Sequence, residues 1–150
     1  MKRINAMLLV CLLCWGLFGC GKENEDEMTL FLEKIKTSES TTQVELSELT
    51  DFEWEKLYIF APYTSKSEIE EIVELSLKEV VDSPINDNEI CMLFTLENEN
   101  ISYLRSKEED LGIDFDFGVY DRYLCLENEN SNLFSIENVD DICTLTYISD

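Results

Sequence analysis

Three sets of side chains in this chain have the types and spacing to do chemistry: clustered carboxylates, thiols and aromatic rings. The densest carboxylate group near a glycine is Asp114-x-Asp116-x-Gly118, with Asp110 before it and Asp121 after it. Closely spaced acids of this kind are the material of calcium sites, which makes Asp114, Asp116 and Asp121 the candidate Ca2+ ligands. The EF-hand order is not met, because Gly118 falls one place early if Asp114 is first and no Glu closes the loop. Acids alternating along the wet face of a strand explain the spacing more simply. Cys91, Cys125 and Cys143 each sit in an apolar, strand-like run with no Cys-x-x-Cys spacing. They read as buried thiols acting as small hydrophobes, with a Cys125–Cys143 disulfide as the alternative in an oxidising compartment. Among the rings, Trp54 lies between acids and Tyr63 follows Pro62. This pair is the candidate interaction surface, since Trp and Tyr favour interfaces.

The chain contains no His, which excludes Ser-His and Cys-His nucleophile pairs and His-ligated metals. Nothing singles out a catalytic pair among the 33 acids. No enzyme activity and no cofactor are therefore expected. With 11 Lys+Arg the formal charge is −22, which argues against nucleic acid, whose phosphates need a basic surface. The acid excess does not read as disorder, because 45% of residues are hydrophobic and 11% aromatic.

The elements that must position these groups begin after residue 19. Lys2 and Arg3 precede an apolar run from Ala6 to Cys20, shorter than the roughly 20 residues a spanning helix needs. Leu17-Phe18-Gly19-Cys20 resembles the bacterial lipobox, although Phe18 stands where a small residue is usual. The resemblance implies cleavage before Cys20 and acylation of that residue, hence a lipoprotein with a membrane anchor carrying palmitate-type chains. An ordinary secretory signal with an incidental Cys is the alternative. Loss of Lys2 and Arg3 takes the formal charge from −22 to −24. The expected organisation is a signal peptide at 1–19, a lipidated Cys with acidic tether and short amphipathic helix at 20–41, and a single domain at 42–150. Met28, Phe31, Leu32 and Ile35 recur at helical spacing, and this helix is expected to lie loosely on the domain.

Residues 57–60 form a continuous apolar run, as expected of a strand buried on both faces. A helix is expected over 66–80. Ser65 or Ser67 opens it with a capping box, and Ile69, Ile72, Val73, Leu77 and Val80 line one face. Beyond residue 89 the period becomes strand-like. The pentapeptide Leu-Glu-Asn-Glu-Asn occurs at 96–100 and again at 126–130, and each copy is expected to turn a hairpin. Ile113, Phe115, Phe117 and Val119 alternate with Asp114, Asp116 and Gly118, the pattern of a half-exposed strand. The expected fold is α+β: a mostly antiparallel sheet of about five to six strands with one main amphipathic helix packed on one face.

The stretch Phe52 to Thr64, with Trp54-Glu55-Lys56-Leu57-Tyr58-Ile59-Phe60 running into Pro62-Tyr63-Thr64, is similar to a segment of small uncharacterised lipoproteins, mainly of Gram-positive bacteria. That resemblance implies the same address and strand-helix unit, and no activity. The expectation is a binding or accessory module, lipid-anchored on the extracytoplasmic face of the cell membrane, with a basic protein or peptide as partner. A small-molecule or Ca2+-binding lipoprotein is the alternative. Gly21 after Cys20 would permit outer-membrane sorting in a Gram-negative organism.

Overall fold

A computed structural model describes residues 26–140 and 142–148. Cys20 and the expected signal segment lie outside the described residues. In chain order the elements are α1 (Glu27–Thr37), β1 (Thr41–Glu45), α2 (Leu46–Leu49), β2 (Lys56–Phe60), α3 (Lys66–Val73), β3 (Glu89–Leu96), β4 (Glu99–Lys107), α4 (Glu108–Leu111), β5 (Ile113–Asp116), β6 (Tyr123–Glu127), β7 (Leu133–Val139) and β8 (Ile142–Ile148). The class is α+β, as expected. The described residues hold eight strands in two four-stranded sheets, ordered β4-β3-β2-β6 and β1-β7-β8-β5, rather than one sheet of five to six. Pairing is antiparallel except between β5 and β8, which run parallel.

The sheet centred on β2 and β3 is buried on both faces. Leu57, Ile59, Met92 and Phe94 point into a first core shared with Phe134, Ile136 and Leu145 of the other sheet. Tyr58, Phe60, Cys91 and Leu93 point the opposite way, into a second core with Ile69, Leu77, Val80 and Ile85. This explains why β2 and β3 are near-continuous apolar runs, whereas β7 and β8 alternate.

Helix α1 is not a loose arm. Met28, Phe31 and Ile35 are all at most 2% exposed and belong to the first core. Its first turn is pinned to β4: the Ser102 hydroxyl accepts from the Met28 N–H at 3.0 Å and donates to the Asp26 carboxylate at 2.9 Å.

Helix α3 is shorter than the expected 66–80. The Ser65–Glu68 capping box forms, but the helix stops at Val73 and Glu74 adopts φ 58°. No basic residue offsets the negative end of the helix dipole. In a continued helix Glu70 and Glu74 would stand one turn apart as a like-charge pair. The Glu70 carboxylate instead accepts from the Leu77 N–H at 2.7 Å. Leu77 and Val80 are still buried, but from an irregular segment that lies over the second core.

The β3–β4 turn is the hairpin expected at 96–100, with φ of 49° at Glu97 and 64° at Asn98. The copy at 126–130 is not a hairpin, because it passes the chain from β6 in one sheet to β7 in the other. The alternation through Val119 is also cut short. At Gly118 the backbone turns to φ 73°, so Phe117 stays buried while Val119 is fully exposed.

Candidate functional site

The three thiols do not form a reactive group. Cys91 packs in the second core and its Sγ lies 3.9 Å from the Tyr103 hydroxyl. Burial pushes its pKa up to about 12, so no thiolate forms near neutrality. Cys125 and Cys143 are also raised, in both cases chiefly by burial. The Cys143 Sγ lies 3.7 Å from the Ile35 carbonyl oxygen in the first core. All three are free. The Cys125–Cys143 pairing is therefore corrected: Cys125 lies on β6 beside the second core and Cys143 on β8 in the first, on strands of different sheets.

The candidate calcium ligands do not converge. Asp114 and Asp116 project from the exposed side of β5 and Asp121 lies beyond the Gly118 turn, also exposed. One Asp116 carboxylate oxygen accepts from the Gly118 N–H at 3.0 Å, closing a local turn. Among the described residues no three His, Cys, Asp or Glu side chains gather as a metal site.

Trp54 and Tyr63 part company. Trp54 is 4% exposed, and its indole N–H donates to the Thr50 hydroxyl at 2.9 Å within the first core. It is a core residue and not part of an interaction surface. Flanking acids concealed this, because Glu53 and Glu55 turn outward while the ring turns in. Tyr63 is 70% exposed at φ 68°, with its N–H donating to the Ile85 carbonyl at 2.7 Å.

Two features were not legible in the sequence. Arg105 is a latch: its guanidinium donates to the Ser83 and Pro84 carbonyls at 2.7 and 2.6 Å and to the Glu89 carboxylate at 2.7 Å. Hydrogen bonds from the Asn86 N–H and from Arg105 hold the Glu89 carboxyl below its usual range. The second feature is the outward face of the β1-β7-β8-β5 sheet. Strand register sets Glu137 beside Thr144 and Thr144 beside Asp114, then Ser135 beside Thr146 and Thr146 beside Asp116. The alternation in 142–148 was the available signal, but it identifies a wet face without showing what stands beside it. A cavity of about 480 Å3 adjoins this face near Asp114 and Ile142, and another of about 390 Å3 lies by Thr42 and Glu137.

No protein-family model matches the chain, and neither a curated protein nor a solved structure is detectably similar to it.

Proposed function

We propose that this protein is a lipid-anchored module on the extracytoplasmic face of the cell membrane that binds a basic protein or peptide. The observation that carries this reading is the unneutralised acid surface. Among the described residues the ion pairs are four, and in three of them both side chains are more than 40% exposed. Such pairs screen little of the field of 33 acids. A field of one sign raises the encounter rate with an oppositely charged partner and repels acidic ones. The lipobox-like Leu17 to Cys20 supports the anchor, and the dispersal of thiols and carboxylates fits binding better than catalysis.

Two measurements test the two halves. Cys20→Ala is expected to abolish palmitate labelling and release the protein from the membrane fraction. A variant that stays membrane-bound refutes the anchor. In-cell crosslinking of the full chain, followed by capture at low and high salt, is expected to return a partner of net positive charge. After reversal of the crosslink, that partner should be lost near 1 M salt, where the Debye length is about 3 Å. A partner held equally at both salt concentrations refutes the electrostatic reading.

A further inference from the structure

The β4-β3-β2-β6 sheet is covered on both faces, whereas the β1-β7-β8-β5 sheet is covered on one. Side chains on its outward face belong to neither core. An uncovered antiparallel face is ordinary when it carries mixed charge and small polar groups. This one departs from that in two ways. None of its four strands contains a Lys or an Arg, while Asp114, Asp116 and Glu137 stand on it. It also leaves an aliphatic cross-strand pair open at one end: Val139 and Ile142 are 54% and 50% exposed.

We infer that this open face is the docking surface for the basic partner, and that the part of the partner that docks is an extended segment bearing Lys or Arg at alternate positions beside an aliphatic side chain. The inference rests on the proposed function and names its site. The geometry matches in two directions. Asp114 and Asp116 share one side of β5 about 6.7 Å apart, the spacing of alternate side chains on any extended strand. Across the sheet, Glu137 and Asp114 flank Thr144 at two strand spacings, about 9.6 Å. A cation above Thr144 thus meets a hydroxyl with a carboxylate on either side. A neighbouring aliphatic side chain would cover Val139 and Ile142, removing apolar surface from water.

The alternative route, addition of a strand to the free edge of β5, is blocked. The Glu108 carboxylate already accepts from the Phe115 N–H at 3.1 Å, occupying that edge.

The test places a photo-crosslinking amino acid at Thr144, on the face, and in a second variant at Glu71, exposed on α3. Each full-length, membrane-anchored variant is irradiated in the producing cells, and the adducts are sequenced. The expected result is an adduct from position 144, absent from position 71, whose crosslinked segment carries alternate Lys or Arg. Asp114→Lys with Asp116→Lys is expected to reduce it about tenfold or more. Glu137→Lys alone, on a different strand, gives the same direction should the double variant fold poorly. Melting temperatures of both establish folding. A basic segment crosslinked from position 71 and not 144 overturns the docking face while leaving the basic-partner reading intact. A crosslinked segment without basic residues, or a second copy of this chain, overturns both, and no adduct from position 144 overturns the docking face.

Discussion

Removing the Phe31 ring tests whether α1 is part of the fold or an appendage to it. Phe31 is 1% exposed and meets the Phe94 ring edge-on, with centroids 5.4 Å apart. Phe94 is a hub, with Phe52 at 5.0 Å and Trp54 at 5.5 Å also presenting edges to it. Phe→Ala at such a site loses both transfer free energy and packing around the cavity left behind, about 3–5 kcal/mol together. Phe31→Leu keeps most of the volume and forfeits chiefly the ring-edge contact, about 1 kcal/mol. The assay is urea denaturation followed by the emission of Trp54, the buried indole at the same hub. Phe31→Ala is expected to lower the unfolding free energy by about 4 kcal/mol, equivalent to a melting-point drop of roughly 10–15 °C for a domain of this size. Glu33→Ala, on the exposed side of the helix, should stay within about 0.5 kcal/mol. A Phe31→Ala cost below about 1 kcal/mol would refute the placement of α1 in the core, as would proteolytic removal of the helix from a domain that keeps its cooperative transition.

Alkaline pH gives an independent check on the second core. Cys91 and Tyr58 are each raised to about 12 by burial, from ordinary values of 9.0 and 10.0. The folded protein holds these protons where the unfolded chain releases them, so their contribution is complete below pH 9 and declines as pH rises toward 12. The urea midpoint should fall as pH rises from 9 toward 12, and Cys91→Ala should flatten the early part of that slope; an unchanged slope refutes the burial. Arg105→Met should cost about 2–3 kcal/mol in urea unfolding by leaving the Ser83 and Pro84 carbonyls without their charged donor, and a cost below 0.5 kcal/mol would show the latch to be idle. Ser65→Ala removes the α3 cap at about 1 kcal/mol. Faster hydrogen exchange should appear at the Ile69 amide, which donates to the Ser65 carbonyl, with β3 amides unaffected.

Much of the central sheet was legible because its signal is local. The apolar runs of β2 and β3 state burial on both faces directly, and the Asn-containing turn at 96–100 fits the positive φ that a tight hairpin requires. Helix α1 was legible as a helix but not in its position. Period 3.6 shows that one face is apolar, not which surface covers it. The partner of Phe31 is Phe94, far along the chain, and Ser102 fixes the helix start from farther still. The end of α3 was missed for a related reason. Leu77 and Val80 keep helical spacing and are buried, but irregular backbone carries them to the same core. The buried positions of Trp54 and Cys143 follow from inter-sheet packing, which no window of sequence contains.

The two copies of Leu-Glu-Asn-Glu-Asn show where local chemistry yields to its surroundings. In the first, Glu97 and Asn98 take positive φ and the chain returns beside itself, pairing Leu96 with Glu99. In the second, long-range contacts take hold of the same residue types. The Asn128 side chain donates to the Trp54 carbonyl at 2.9 Å, and the Asn128 N–H donates to the Glu55 carbonyl at 2.9 Å. Buried Asn132 then donates to the carbonyls of Glu127 and Asn130, bending the chain out of one sheet and into the other. The turn residues permit either path. The choice follows from which strand lies next to the one being left: β3 has an open side for β4, whereas β7 must run between β1 and β8 to bring Phe134 and Ile136 onto the first core. That same crossing leaves Glu137 and Val139 on the outward face beside Thr144 and Ile142, so the surface inferred to dock a basic partner is a consequence of how the second copy is used.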